Sequence, residues 1–270
     1  MALYMNNTKV KSVYWNGAKA KKVYFNNVLV LSGEFAFTYT GACSVEGDLG
    51  GNFVIRFKTS GTLTITDAGN AASLDVFLVG GGGGGGDGGR GAVGKSSFGS
   101  GAGGGYTAAA SGVTLSVGTA YTITVGAGGA AKTAGGQTSA FSRTANGGKA
   151  GNIGSPSSSF PSANGGDGGS GGGAGGSVAG ASGKGGQDGG DGGKVSRATG
   201  GKGQGTTTRE FGASSGNLYA SGGDGGKNQG QTGITGGTGA SNTGNGGEGG
   251  GISAAGGAGG SGIVCIRNHR

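Results

Sequence analysis

Few residues in this chain have the type and spacing for chemistry. Gly89–Ser96 reads GRGAVGKS, which fits the phosphate-loop pattern GxxxxGKS, and an apolar run precedes it. Such a loop works when its Lys-Ser opens a helix whose N-terminal N–H groups face the phosphate. The residues that follow, SFGSGAGGGY, are too rich in glycine to hold a helix, so nucleotide binding is not expected. Asp167, Asp188 and Asp191 lie in GGxG runs. An Asp in that frame ligates calcium when a large apolar residue recurs at a fixed place in nine, and here small and polar residues follow. Asp188 and Asp191 form no acid pair with a pocket, because no apolar run in sequence surrounds them. The lone histidine, His269, is second from the C-terminus, so a Ser-His-Asp site is not expected. Cys43 and Cys265 sit in strand-like segments and read as buried free thiols, with one disulfide as the alternative. No Cys/His cluster has metal-ligand spacing. We expect no enzymatic activity, no metal and no cofactor.

What remains is a scaffold. Seventy-eight of the 270 residues are glycine, and many fall in a frame of three. Residues 165–176 read GGDGGSGGGAGG, residues 185–194 GGQDGGDGGK, residues 246–251 GGEGGG, and residues 80–86 are all glycine. A helix with three residues per turn, of polyproline-II type, puts every third residue on one side. A bundle of such helices packs backbone to backbone, with N–H···O bonds offsetting the large entropy cost of ordering glycine. An interior helix must then lack side chains, which assigns Gly80–Gly86 to the interior. A peripheral helix can spare one position in three, which turns Asp167, Ser170, Asp224 and Glu248 toward solvent. Collagen is excluded, since it needs glycine at every third position with proline-rich neighbours and this chain has two prolines. The net charge of +8 comes from five early lysines and others scattered singly. It forms no basic patch with interleaved aromatics, so nucleic acid is not an expected partner. No apolar run approaches the roughly 20 residues of a membrane helix.

The rest of the chain is β-prone, and nothing in it carries a helical period. The fold class expected is all-β with polyglycine II and essentially no α-helix. Leu3–Asn7, Val13–Gly17 and Val23–Asn27 repeat with period ten, each ending in Asn-Asn or Asn-Gly. This predicts a β-meander of about three strands with a last strand at Val28–Leu31, in an N-terminal attachment module spanning 1–33 with a hinge at Ser32-Gly33. Its aromatics Tyr4, Tyr14, Trp15, Tyr24 and Phe25 are the candidate docking residues. A second domain spans 34–270. Its β-sandwich base draws on 34–79, 106–126 and 262–267, and its polyglycine-II bundle on about 80–105 and 127–261. Phe53–Phe57 and Thr62–Thr66 read as a hairpin across Thr59-Ser60-Gly61, and further strands fall at Val113–Val117 and Tyr121–Val125. The closing strand Gly262–Arg267 should pair beside Leu74–Val79, since nothing near it in sequence can bury it.

LDVFLVGGGGGGG (74–86), GGGY (103–106), GTAYTITVGAGG (118–129), GQGTTTREFG (203–212), NTGNGGEGGG (242–251) and GGSGIVCIR (259–267) together resemble the glycine-rich domain of bacteriophage tail proteins. The period-ten repeat is similar to attachment segments before such domains in phages of Gram-positive bacteria. More distantly, the bundle resembles the polyglycine sandwich of adhesins at tail-fibre tips. The resemblance implies a virion tail protein, found outside the cell after host lysis. It would dock on other tail proteins through 1–33 and bind a host cell-surface glycan or protein through loops between glycine helices. A homo-oligomer, such as a trimer around a fibre axis, is compatible with it. The N-terminal module departs from those adhesins, so the docking partner does not carry over. Candidate receptor-binding residues in the interrupting loops are Arg143, Phe160, Arg197, Arg209, Phe211 and Tyr219, because aromatics and Arg dominate hot spots. Phe211 and Tyr219 have a second reading, as residues that close the sandwich. A purely structural tail or head-fibre component is the alternative function. An ice-binding surface would need uniform small residues at the x positions, which here mix Asp, Lys, Ser, Ala and Glu.

Overall fold

The computed structural model describes residues 4–5, 8–9, 14–15, 18–19, 22–25, 28–69, 71, 73–90, 96–154, 164–175, 209–226, 228–229 and 232–268. Three hairpins come first: β1 (Tyr4–Met5) with β2 (Thr8–Lys9), β3 (Tyr14–Trp15) with β4 (Ala18–Lys19), and β5 (Lys22–Phe25) with β6 (Val28–Ser32). The expected meander is therefore replaced by one hairpin per repeat. The reason is register: Met5 pairs Thr8 and Trp15 pairs Ala18, which leaves only Asn6-Asn7 and Asn16-Gly17 between the arms. Two-residue connections of that composition favour a chain folding back on itself at once.

The next strands are β7 (Ala36–Tyr39), β8 (Cys43–Gly47), β9 (Phe53–Phe57), β10 (Gly61–Asp67) and β11 (Leu74–Val79). After the first glycine run come β12 (Gly89–Arg90), β13 (Ser96–Ser97), β14 (Thr107–Val113), β15 (Ala120–Ile123), β16 (Thr138–Ala140) and β17 (Arg143–Ala145). The short β18 (Asn228–Gln229) and β19 (Thr232–Gly233) precede the closing β20 (Ile263–Asn268). Among the described residues there is no α-helix, only a 3-10 turn at Glu210–Gly212.

Two antiparallel sheets form the sandwich, ordered β14-β11-β20-β9-β8 and β15-β10-β7. In β9 the alternation places Phe53, Ile55 and Phe57 inward, against Leu63, Ile65 and Ile123 of the smaller sheet. β20 pairs with β11 in register Phe77 to Cys265, as expected, and also with β9. Two expectations need correction. β9 and β10 do not form a hairpin, because Gly61 starts a strand in the opposite sheet and the turn crosses between layers. Gly61 sits so close to Gly41 that a Cβ would lie 2.7 Å from its nitrogen. The strand expected at 113–117 lies instead at Thr107–Val113, where weak formers Ala and Ser are recruited by pairing with the fully buried β11.

The glycine run leaves the sheet at Val79 and becomes the axis of a bundle. Its N–H groups point in turn to three neighbours. Gly80, Gly83 and Gly86 donate to the carbonyls of Tyr106, Gly103 and Ser100 at 2.9, 3.0 and 2.9 Å. Gly81 and Gly84 donate to Gly136 and Thr133, and Gly82, Gly85 and Gly88 to Gly260, Gly257 and Ala254. Its carbonyls accept from three others: Gly81, Gly84 and Asp87 from Gly148, Gly151 and Gly154; Gly82 and Gly85 from Gly129 and Lys132; Gly83 and Gly86 from Gly247 and Gly250. Three neighbours run antiparallel and three parallel. Successive groups turning by a third of a revolution are what a three-residue turn produces. A Cβ on Gly83 would overlap the Lys149 carbonyl, and one on Gly84 the Ala130 carbonyl.

The thread 98–106 repeats the pattern, with Gly99, Ala102 and Gly105 donating to Gly250, Gly247 and Gly244. Between Phe98 and Tyr106 at its ends it tolerates two side chains. Ala102 and Ser100 are wholly buried, and the Ser100 hydroxyl donates to the Asn164 carbonyl at 2.5 Å while accepting from the Asn152 N–H. Asp167, Asp224 and Glu248 are partly exposed, but Ser170 is fully buried, contrary to expectation, and its hydroxyl has no partner. Ser170 lies where the chain reverses at the sandwich end of the bundle, and there it donates no side-chain row to water.

Replacing Gly83 by Ala should lower the melting temperature by roughly 5 °C or more, because the close packing cannot yield. Ala127→Ser, on an exposed position of a neighbouring thread, should leave it within about 1 °C. Differential scanning calorimetry on both variants checks this, and equal losses would contradict the packing.

Candidate functional site

The bundle has two unlike ends. The chain enters the sandwich at Phe35, whose N–H bonds the Leu49 carbonyl, and a Cβ on Gly69 would strike the backbone there. This is the end that carries Leu74 and Asn268, remote from Val79 where the glycine threads begin. At the other extremity the threads turn. Gly154 bonds Asp87, Lys132 bonds Gly85, Gly226 bonds Gly99, Gly251 bonds Ile234, and Gly88 bonds Ala254. The turns near Asp87, Lys132, Gly154, Ile234 and Ala254 therefore gather at one level, far from the chain's entry.

At that level Lys132 Nζ lies 2.6 Å from Asp87 Oδ2, and the Gly256 N–H donates to Asp87 Oδ1 at 3.0 Å. Partial burial pushes the Asp87 carboxyl up, but the Lys132 ammonium and the Gly256 N–H outweigh it and hold the group below its usual range. Lys132 and Ser253 turn the chain with φ of 67° and 57°. Ile153 and Ile234 are 56% and 43% exposed beside these turns. The hairpin β12–β13 pairs Arg90 with Ser96, so Ser96 lies in a strand and the phosphate-loop reading of 89–96 fails on conformation.

A second cluster covers the outer face of the larger sheet. Register places Phe77, Cys265, Arg56 and Ser44 side by side, with Asp75, Arg267, Val54 and Glu46 in the adjoining row. A strap from Arg209 to Tyr219 closes over them. Arg56 is bidentate on Glu210, Nε to Oε1 at 2.6 Å and Nη2 to Oε2 at 2.7 Å, and its Nη1 reaches Glu46 at 2.6 Å. Phe211, at φ 55°, aims its ring between Phe77 and Arg267, whose guanidinium carbon lies 4.4 Å from the ring centre. Tyr219 is buried against Phe77. Burial first, and Glu210 second, push the Cys265 thiol well above its ordinary value.

The candidates from sequence do not converge. Arg143 is exposed on the β16–β17 hairpin at the side of the sandwich. Arg209 bonds the Gly216 carbonyl at 3.1 Å, within the strap. Tyr219 packs in the second core cluster, with Phe211 against it. Phe160 and Arg197 lie outside the described residues. Tyr4, Tyr14, Trp15, Tyr24 and Phe25 fall in the three hairpins, opposite Lys9, Lys19, Ala18, Leu29 and Val28. Sequence reasoning missed the Arg56–Glu210 pair, whose members are 154 positions apart with no local signal to join them. It also took Cys43 as buried, whereas Cys43 is exposed on the edge strand β8 and only Cys265 is buried; both are free. Among the described residues no cluster of His, Cys, Asp and Glu could hold a metal ion, and no helix is long and apolar enough to cross a membrane.

Comparison with known proteins yields a match to one family model, described as a glycine-rich domain, over residues 58–269. No curated protein matches the chain.

A raised thiol pKa gives a pH signature. The unfolded chain ionises its cysteines near pH 8.5 while folded Cys265 stays protonated, so this contribution is complete below that pH and is lost as pH rises through and beyond it. In a Cys43→Ser background, the melting temperature should fall between about pH 8 and 9.5, and less steeply when Cys265 is also replaced by Ala. Identical slopes would refute the assignment.

Proposed function

The chain belongs to the glycine-rich domain family through residues 58–269, and from that premise we propose that it is a bacteriophage tail protein, a tail-tip or tail-fibre adhesin. The observation that carries this reading is the polarity of the domain. The chain enters at one end of the sandwich, and the turns near Asp87, Lys132, Gly154, Ile234 and Ala254 collect at the opposite end of the bundle. A protein that docks at its base and recognises at its tip needs that separation. The hairpins of 1–33 serve as the attachment piece for other tail proteins, through Tyr4, Tyr14, Trp15, Tyr24 and Phe25. The tip, with Ile153, Ile234 and Lys132, meets a glycan or protein on the host surface, together with Phe160 in the sequence that follows Gly154. The protein performs no chemistry in this role, needs no cofactor and leaves the cell with the virion at lysis. The ordered segments 74–86, 118–129 and 259–267, which resemble phage tail domains, support the virion assignment independently of the tip.

The reading is tested with fluorescently labelled full-length protein on a panel of Gram-positive strains. Saturable binding to at least one strain is expected. It should drop at least about tenfold in affinity when Ile153 becomes Ser and 155–163 is replaced by a Gly/Ser segment of equal length, the loss of one anchoring cluster being worth 1.4 kcal/mol or more. Folded wild-type protein that binds no strain yet is incorporated into virions would establish a structural component instead.

A further inference from the structure

A groove of about 360 Å³ runs along the side of the sandwich. One wall is the segment from Val113 to Thr122 and the other is the tip of the β16–β17 hairpin, Phe141-Ser142. Its size is at the lower end for small-ligand sites. The rings of Tyr121 and Phe141 meet in it, with centres 5.7 Å apart and planes at 56°. Thr114, Thr122 and Ser142 are among its lining residues, and no charged residue is. Tyr121 is held in place by its own phenol oxygen, which accepts the Ser116 N–H at 2.7 Å.

The hairpin tip supplies an independent sign. Ala140 pairs with Arg143, so Phe141 and Ser142 are the two central residues of the turn, and both have left-handed φ, 51° and 57°. That turn is ordinarily built from Asn-Gly, because a Cβ there is strained by about 1–2 kcal/mol per residue. Elsewhere this sequence uses Asn-Gly and Asn-Asn freely, at 16–17 and 26–27. At 141 it keeps a bulky ring in an unfavourable conformation, at the mouth of a groove. Strain of this kind persists where the side chain is needed.

We infer that this groove binds a neutral sugar ring. A sugar offers an apolar C–H face to the two aromatic rings and hydroxyls to Thr114, Thr122 and Ser142. The absence of lining charge argues against a phosphorylated or acidic ligand, which would need a cation to offset its desolvation. The site is on the sandwich and does not depend on the adhesin reading, so replacement of the 155–163 loop should leave it intact.

The test is saturation-transfer difference NMR of the full chain with glucose, galactose, N-acetylglucosamine and rhamnose at millimolar concentration, with amide shift mapping of 113–122 and 140–143. At least one sugar should show transfer, with shifts confined to those residues. The double variant Phe141→Asn, Ser142→Gly removes the ring and supplies the favoured turn, so it should fold and weaken binding by at least about tenfold. Thr122→Lys, at an exposed position of the groove, should block binding without touching the hairpin. No transfer from any of the four sugars, or binding unchanged in both variants, would overturn the assignment.

Discussion

A glycine thread has no side chains to bury, so it is held only by what its main chain can reach. In this domain each N–H of 80–86 finds a carbonyl on one of three neighbours, and three other neighbours donate to its own carbonyls. Each such bond is worth only about 1 kcal/mol net, and each glycine ordered costs more than any other residue would. The arrangement succeeds because a missing Cβ lets every surrounding thread bond at once, and because the ends are fixed. Residues 79 and 263 are paired in a sheet with a conventional apolar core. The sandwich thus sets the starting positions of threads that could not find their register alone.

That dependence explains the division of the outer surface. On the face where Phe77, Val79 and Cys265 would otherwise meet water, the strap of 209–219 supplies Phe211 and Tyr219 as a lid and Glu210 as the counter-charge for Arg56. Both ionic partners are largely buried, so the pair contributes chiefly by fixing where the strap sits, since desolvation offsets much of its attraction. At the far end of the bundle the described residues form only two short hairpins, β12–β13 and β18–β19. There the turns are tied by backbone bonds and by Lys132 on Asp87, and side chains such as Ile153 and Ile234 are left outward.

Much of the scaffold was legible because it obeys local rules. Seven consecutive glycines have few folded uses, and the apolar run Leu74–Val79 beside a lone closing strand had one plausible mate. What was not legible depends on partners distant in sequence. Thr107–Val113 has weak strand propensity and becomes a strand only because β11 needs an edge. Gly61 looks like a hairpin turn but carries the chain from one layer to the other. The triplet rule sent Ser170 to solvent, but a chain reversal buries it. At the candidate site, the richer loops were recognisable as breaks in the glycine frame, whereas Lys132 was a single residue in a run of small ones. Of the turn at 141–143 only Arg143 stood out in the sequence, because left-handed φ at a phenylalanine leaves no trace in composition.

One consequence of the topology concerns synthesis. β20 comes last of the described strands, yet it occupies the middle of the five-stranded sheet, between β11 and β9. Until β20 has been made, two half-sheets lie with a gap between them, and the glycine segments made in the meantime have no fixed anchor. Rigidity must therefore arrive late and all at once, after slow closure of very distant contacts. A nascent chain of this kind is soft until β20 is available, so a product truncated before that strand would have no stiff rod to present.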